Sequence, residues 1–292
     1  MKEKIISFFF FSLFLGVPFQ AIPQLTPDQV TERAKWEKFI ETAEIVGYDQ
    51  PLNPRNAVTE PWRLALKKDG ITMYAWWKNV EGRPKGYPDS WKWEIAAYCL
   101  DKYLGLNMIP PIVVKRFRGD RGCCSLDYGN TITLRQKKEQ DLKPSSGAQV
   151  VSLNRATYLQ RAFDNLIANA DRNEGDVLYT KDWRMILIDH SRAFYTSKKY
   201  TKKLLFDENT KPAPKPMRRL PRAFVEKLKS LNSGIIKEVV GEYLTEKEIE
   251  CVLIRRDLII ENLNKRIEKL GESAVLYEFL ELVKEYPVPI FY

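Results

Sequence analysis

The stretch Phe163–Phe194 constrains this chain more than any other part of its 292 residues. A helical pattern of apolar residues ends shortly before Asp171, and two short apolar segments follow, Val177–Tyr179 and Met185–Ile188. The residues Thr-Lys-Asp between these segments are typical of a turn, so the pattern predicts a helix followed by a hairpin of two short strands. The fold must therefore place the end of a helix close to the open end of a hairpin.

Three carboxylates occupy the ends of these elements. Asp171 follows the predicted helix, Asp176 precedes the first short strand and Asp189 follows the second. Because the open ends of a hairpin lie together, Asp176 and Asp189 should face one cavity. Phosphoryl transfer from ATP requires a carboxylate that serves the attacking hydroxyl and oxygen ligands for the metal that bridges the phosphates. The pattern predicts Asp171 as the catalytic residue and Asp176 and Asp189 as metal ligands, although aspartates that only cap turns would look the same.

Two residues in the first half of the chain complete such a site. Lys78 ends the predicted strand Ile71–Lys78, and Glu94 lies on a helix that begins after Asp89 or Ser90. In kinases a strand lysine holds the phosphates of the nucleotide and is itself held by a glutamate from the next helix. Lys78 and Glu94 are therefore predicted to bind the cofactor, whereas each residue taken alone could equally be a surface side chain.

The remaining sequence predicts strands with one helix first, and mostly helices after a linker. An Asp-Gly pair at 69–70 is typical of a hairpin turn. Residues 127–150 are polar and aperiodic, which favours a linker, and residues 198–219 are rich in lysine and proline, which favours a loop. The predicted fold class is α+β, with a small β-rich lobe over residues 25–126 and a larger helical lobe over residues 127–292. The site should lie in the cleft between them.

The segments DNLIANADRNEGD and ILIDHSRAF resemble the catalytic and metal-binding loops of phosphatidylinositol 3-/4-kinases and of secreted four-jointed-type kinases. WEIAAYCLDKYLGLNMIPP resembles the helix-and-strand segment that carries the glutamate in the same atypical kinase superfamily. The resemblance spans roughly residues 37–280 and points to a bacterial branch of that superfamily. It implies a bilobal protein-kinase-like fold that uses ATP and Mg²⁺ or Mn²⁺.

The resemblance also implies a role for each candidate residue. Lys78 would contact phosphate and Glu94 would orient it, Asp171 would serve the acceptor hydroxyl, and Asp176 and Asp189 would bind the metal. The acceptor does not follow from it, because the superfamily acts on both proteins and lipids.

The sequence departs from the kinase pattern at three places. A single glycine, Gly70, stands where a Gly-rich phosphate loop would be expected, and Asp176 replaces the usual metal-binding Asn. His190, the chain's single histidine, occupies a position where protein kinases have Phe, and we expect it to play a structural role. These departures keep a second hypothesis open, a catalytically inactive kinase-like binding module in the cell envelope. An unrelated exported binding protein is a third.

Residues 1–24 predict an export signal. Lys2 and Lys4 precede the apolar run Ile5–Val17, which is shorter than the roughly 20 residues that a membrane-spanning helix needs. We expect cleavage, export to the periplasm or the extracellular space and no transmembrane span in the mature chain. An uncleaved N-terminal anchor is the alternative.

The net charge of +9 is concentrated in residues 198–222. This basic segment combines nine Lys or Arg with two acidic residues and follows Asp189, where kinases have their substrate loop. A local patch differs from the broad positive surface of a nucleic-acid-binding domain, so nucleic acid is not a predicted partner. The segment favours an acidic protein or a lipid surface as the acceptor, with a solvated loop as the alternative.

Overall fold

The computed structural model describes residues 27–49 and 61–278. The predicted export signal therefore lies outside the described residues. The first part of the chain contains α1 (Pro27–Thr42), β1 (Glu44–Asp49), β2 (Trp62–Lys68), β3 (Ile71–Lys78), β4 (Glu81–Gly82), β5 (Asp89–Ser90), α2 (Trp91–Leu104), β6 (Ile112–Phe117) and β7 (Asp120–Leu126). The second part contains β8 (Ile132–Thr133), α3 (Leu134–Glu139), α4 (Gly147–Ile167), β9 (Val177–Tyr179), β10 (Met185–Leu187), β11 (Leu220–Pro221), α5 (Arg222–Ser230), α6 (Ser233–Val240), α7 (Glu246–Leu270), α8 (Glu272–Val275) and β12 (Leu276–Tyr277).

A five-stranded antiparallel sheet forms the β-rich part, in the order β1-β2-β3-β7-β6. Asp69 and Gly70 join β2 to β3 with φ values of 50° and 78°. Two consecutive residues with positive φ are the requirement of a type I′ turn, and the predicted hairpin is confirmed. Helix α1 covers one face of the sheet, where Phe39 and Ile40 pack with Leu64 and other buried residues of the strands.

The backbones of β3 and β7 lie unusually close together near Lys78, the last residue of β3. A Cβ atom added to Gly122 would lie 2.3 Å from the carbonyl oxygen of Lys78 and 2.7 Å from the Trp77 ring. Such distances are far below van der Waals contact, so only glycine allows the two strands to approach this closely.

Helix α2 packs into the core of the helical part, which also includes side chains of α4, α5, α6 and α7. The hydroxyl of Ser90 accepts a hydrogen bond from the backbone N–H of Lys92 at 3.2 Å and caps the start of α2, as predicted. Gly105 ends the helix with φ of 72°. The first turn of α2, which carries Glu94, is thereby fixed between the sheet and the helical part.

Residues 127–150 are not the linker that the sequence predicts. They contain β8, α3 and the first turn of α4. Helix α3 buries none of its side chains, so it leaves no apolar pattern, and a capping box between Thr133 and Gln136 marks its start instead. The predicted loop at 198–219 is confirmed apart from a 3₁₀ turn at Lys198–Tyr200. Within the two described stretches, no helix combines the length and the apolar character needed to cross a membrane.

Candidate active site

An ion-pair network joins the β-rich part to the hairpin β9-β10. The Lys78 Nζ donates to Glu94 Oε1 at 2.9 Å and to Asp189 Oδ1 at 3.0 Å. The Lys78 and Glu94 side chains are only 15% and 5% exposed. Burial alone would lower the pKa of Lys78, but the charges of Asp189 and Glu94 outweigh it and raise that pKa well above its usual value. The lysine is therefore a fixed, fully charged group.

The second oxygen of Glu94 binds the residue that follows Asp189. Glu94 Oε2 accepts a hydrogen bond from the backbone N–H of His190 at 2.9 Å, and the His190 Nδ1 lies 3.5 Å away. Burial would raise the pKa of Glu94, but Lys78 and His190 stabilise the carboxylate and bring it well below its usual value. Burial, reinforced by the charge of Arg172, lowers the pKa of His190. The fold thus favours the neutral form of the buried His190 side chain, and its structural role stays a prediction.

Asp176 and Asp189 line one cavity of about 470 Å³, together with Lys78, Glu94 and Asp171. All five residues singled out by the sequence therefore lie around the same space, and their chemical roles stay predictions. Burial and the nearby charge of Asp189 raise the pKa of Asp176 to about 7. Asp189 has a φ of 58°, a backbone conformation that costs a non-glycine residue energy and that is found at functional sites.

Each of these two carboxylates has one oxygen held by the protein. Asp189 Oδ1 accepts from Lys78 and from the Ser191 hydroxyl at 3.0 Å, and Asp176 Oδ2 accepts from the Asn173 backbone N–H at 3.0 Å. The other oxygen of each carboxylate accepts no hydrogen bond from residues 27–49 and 61–278. Both carboxylates are therefore oriented by the protein and still have an oxygen available to a ligand.

Arg172 fixes the loop that carries the catalytic candidates. Its guanidinium is paired with the buried Asp164 of α4, with Nη2–Oδ1 at 3.0 Å and Nε–Oδ2 at 3.2 Å. Its Nη1 also donates to the backbone carbonyls of Asp176 and Ile188. One buried arginine thus ties α4 to both strands of the hairpin. Sequence reasoning missed this role. The opposite charges of Asp164 and Arg172, both inside the segment DNLIANADRNEGD, are a signal that could have suggested it.

Asp171 differs from the other candidates because its side chain is 57% exposed. Its Oδ2 accepts a hydrogen bond from Arg192 Nη1 at 3.1 Å, and the Nε of the same arginine donates to Asp89 Oδ2 at 3.0 Å. Neither Arg192 nor Asp89 was among the predicted site residues. They are 103 positions apart, and nothing in the local pattern relates them.

A second cavity of about 750 Å³ adjoins the first. Asp171 and Arg192 line both cavities. The walls of the second cavity carry cationic and aromatic side chains: Arg83, Tyr87, Trp93, Tyr195, Lys199 and Tyr200. Lys199 and Tyr200 belong to the start of the basic segment. The first cavity instead combines its charged end with apolar side chains: Ile109, Ile112, Leu126 and Leu187. Asp171 therefore lies at the junction of two chemically different spaces.

The turn between β2 and β3 does not reach the first cavity. Neither Asp69 nor Gly70 is among the described residues that line it. This placement agrees with the lack of a Gly-rich sequence there. Among the described residues, no group of three or more His, Cys, Asp or Glu side chains is arranged to hold a metal ion by itself.

The fold is similar to that of hydra Fam20, whose structure was solved with sugar. The two structures agree with a TM-score of 0.57 over 85% of this chain and 93% of that chain, at 14% sequence identity. A Helicobacter pylori proinflammatory kinase, CtkA, gives a TM-score of 0.48 at 11% identity, over 79% of this chain and 98% of that chain, which is too low to show a common fold. No family model matches the chain, and no curated protein sequence matches it.

At 14% identity the likeness to hydra Fam20 shows the fold alone. The predicted α+β fold, bilobal and protein-kinase-like, is confirmed by it together with the sheet and the helical part described above.

Proposed function

We propose that the chain is an ATP- and divalent-metal-dependent phosphotransferase that acts on a hydroxyl group. One observation carries the proposal: Lys78 is bound at once to Glu94 and Asp189, inside a cavity that Asp171 and Asp176 also line. A lysine held by a helix glutamate is the arrangement with which kinases bind nucleotide phosphates. The apolar walls of the same cavity provide a surface suited to a nucleotide base.

The donors in the cavity fit Mg²⁺ or Mn²⁺. Asp176 and Asp189 would hold the cation, since both are oxygen donors with one oxygen left free by the protein. Mg²⁺ in nucleotide sites is bound by one or two carboxylates and by substrate phosphates, so a larger cluster is not required. Burial and the charge of Asp189 raise the pKa of Asp176, and a cation would relieve the repulsion between the two carboxylates. When bound, the cation would neutralise phosphate charge.

The remaining residues divide the work. Lys78 would hold phosphate oxygens, and Glu94 would keep the ammonium in place. Asp171 would accept or orient the hydrogen of the acceptor hydroxyl at the junction of the two cavities. The acceptor would approach through the second cavity, next to the basic segment, which favours an acidic protein or a lipid surface.

Two further parts of the proposal come from the sequence. Residues 1–24 would direct export, and the lobes would span residues 25–126 and 127–292. Export would place the reaction outside the cytoplasm, so the protein would have to use ATP available there.

Two aspartate variants test the proposed roles. Asp189→Ala should abolish metal-dependent ATP binding, because the phosphates would face Asp176 without a cation held between them. Asp171→Ala should leave ATP affinity largely unchanged while the rate of transfer falls by about 10²–10⁴, the usual range for a positioned acid or base. Isothermal titration with ATP and Mn²⁺ measures the first quantity, and transfer of radiolabelled phosphate measures the second.

Asp182→Ala is a matched control at the other end of the hairpin, where the aspartate pairs with Arg184. It should change neither quantity. Equal loss in the Asp171 and Asp189 variants, or binding that does not need metal, would contradict the assigned roles. Normal metal-dependent binding with no transfer by the wild type would favour the inactive binding module, and no nucleotide binding at all would favour an unrelated exported binding protein.

A further inference from the structure

Arg192 links two carboxylates that belong to different parts of the fold. Its Nε donates to Asp89 Oδ2 at 3.0 Å and its Nη1 to Asp171 Oδ2 at 3.1 Å. The Tyr87 ring lies against the guanidinium, with its centroid 5.3 Å from the arginine Cζ. A planar guanidinium can bridge two carboxylates in a fixed geometry, which a lysine ammonium cannot do in the same way.

The two ends of this bridge differ in burial. The side chains of Asp89 and Arg192 are 1% and 12% exposed, whereas that of Asp171 is 57% exposed. An exposed aspartate without a partner changes rotamer freely. Arg192 is the hydrogen-bond partner of the Asp171 carboxylate among the described residues, and Oδ1 of that carboxylate accepts no hydrogen bond from them. The arginine thus restricts Asp171 and leaves one of its oxygens for another molecule.

The buried end of the bridge leads to the helix that carries Glu94. Asp89 directly precedes Ser90, the residue that caps α2. The backbone N–H of Ser90 donates to the carbonyl of Ser191 at 2.8 Å, and Ser191 directly precedes Arg192 in the chain. The start of α2 is therefore connected to the segment after Asp189 by a backbone hydrogen bond and by an ion pair. Any displacement of α2 would move Arg192 and, with it, the Asp171 carboxylate.

We infer that Arg192 is a positioning residue that holds the Asp171 carboxylate between the two cavities and, through Asp89, makes that position depend on helix α2. The inference rests on the proposed function, since it assigns how the catalytic aspartate of that reaction is oriented. It adds that the positions of both Glu94 and Asp171 depend on the N-terminal end of helix α2.

Two other roles for Arg192 make different predictions. A direct contact with nucleotide phosphate is chemically reasonable, because Arg192 Nη2 is buried without a hydrogen-bond partner among the described residues. Removal of the arginine would then weaken nucleotide binding. A purely structural role would instead lower stability and leave the rate of transfer by the folded protein unchanged.

The experiment compares Arg192→Gln, Arg192→Lys and Asp89→Asn in the full chain. Transfer from ATP with Mn²⁺ is followed as labelled phosphate released to water or attached to the chain itself, so no acceptor has to be known. We expect Arg192→Gln to lower the turnover rate about 10- to 100-fold, a size typical of a misplaced catalytic group. Arg192→Lys and Asp89→Asn should have smaller effects in the same direction. ATP affinity, measured by titration, should change less than about threefold, because Lys78 and Asp189 are untouched.

Repeating the Arg192→Gln substitution in an Asp171→Asn variant separates positioning of Asp171 from other effects of losing the arginine. In Asp171→Asn, where no carboxylate remains to be oriented, Arg192→Gln should cause no further loss of turnover. Arg121→Gln is the matched control, since Arg121 forms an ion pair with Glu242 at the surface, at 3.2 Å. It should leave turnover and ATP affinity unchanged.

The outcomes are distinct. Loss of ATP affinity by about tenfold or more in Arg192→Gln would overturn the inference and assign the arginine to the phosphates. Unchanged turnover in Arg192→Gln, or an equal loss in the presence and absence of the Asp171 carboxylate, would also overturn it while leaving the proposed function intact. Absence of any turnover in the wild type would overturn both.

Discussion

The two sides of the candidate site are built differently. On the proposed nucleotide side, Lys78 and Glu94 are buried, and each makes more than one charged hydrogen bond within the protein. On the proposed acceptor side, Asp171 is more than half exposed and is held by Arg192. Preorganised charges of the first kind suit a reaction step that is the same for every substrate. The open side is where a choice among acceptors would be made, and the two sides should therefore respond differently to substitution.

The largest expected difference concerns stability. Glu94→Ala should lower the free energy of unfolding by about 3–5 kcal/mol, because it removes the buried one of the two carboxylates that pair with the Lys78 ammonium. Asp171→Ala should change it by less than about 0.5 kcal/mol, the usual result for an exposed side chain. Urea denaturation of the purified variants measures both values.

Glu81→Ala is the control for this comparison. Glu81 pairs with Lys92 of the same helix α2 at 2.8 Å, but both side chains are exposed. Its removal should cost less than about 1 kcal/mol. Similar losses in the Glu94 and Asp171 variants would show that the two sides do not differ as described.

A smaller effect should appear in the pH dependence of stability without metal. The folded protein raises the pKa of Asp176 to about 7, so it binds this proton more tightly than the unfolded chain does. Stability should therefore fall as the pH rises from about 4 to about 7, by about 1–2 kcal/mol, a value reduced from the full linkage because solvent reaches part of the carboxylate. Denaturation in the presence of EDTA at several pH values tests this.

Asp176→Asn should remove this component of the pH dependence and raise the metal-free stability at pH 8. Burial also raises the pKa of Asp101 to about 7, and that contribution is common to both proteins, so the difference between them isolates Asp176. Curves of the same slope for the two proteins would show that folding does not raise the pKa of Asp176.

The smallest expected effect belongs to the basic segment. Replacing four of its exposed lysines with Ser should weaken binding to anionic vesicles about three- to tenfold and flatten the salt dependence, since exposed charges act within roughly 8 Å at physiological salt. The substituted residues are Lys198, Lys199, Lys202 and Lys203. Vesicle co-sedimentation over a range of salt concentrations measures the change.

A control variant removes the same charge from α6 and α7, with Lys237, Lys247, Lys265 and Lys269 changed to Ser. Equal weakening in the two variants would mean that net charge alone governs the association. No change in the basic-segment variant at low salt would support a solvated loop.

Local rules account for the parts of the fold that the sequence predicts. Alternating residues and an Asp-Gly turn specify β2 and β3, and a serine cap and a glycine stop specify α2. The carboxylates of the hairpin β9-β10 were found because a hairpin brings its open ends together whatever surrounds it. The pairing of Lys78 with Glu94 was found through the kinase resemblance, since the two are 16 positions apart and their approach depends on tertiary structure.

Other parts carry an ambiguous local signal or none. The edge strand β1 includes Gly47, and a glycine at this position is equally typical of the end of a helix. The pairing of β1 with β2 is irregular between Ile45 and Gly47. Helix α3 has no buried face. The bridge from Asp89 through Arg192 to Asp171 depends on the packing of two distant segments, so that only a three-dimensional structure reveals it.

Gly122 has a consequence for how the site tolerates change. It has no functional group and does not line either cavity, yet any side chain there would collide with the carbonyl of Lys78 and the ring of Trp77. Even alanine would force β3 and β7 apart at the point where the lysine leaves the sheet. In a screen of random substitutions scored only by nucleotide binding, this glycine should thus be as intolerant as the charged residues themselves. A search for related sequences should weigh it alongside them.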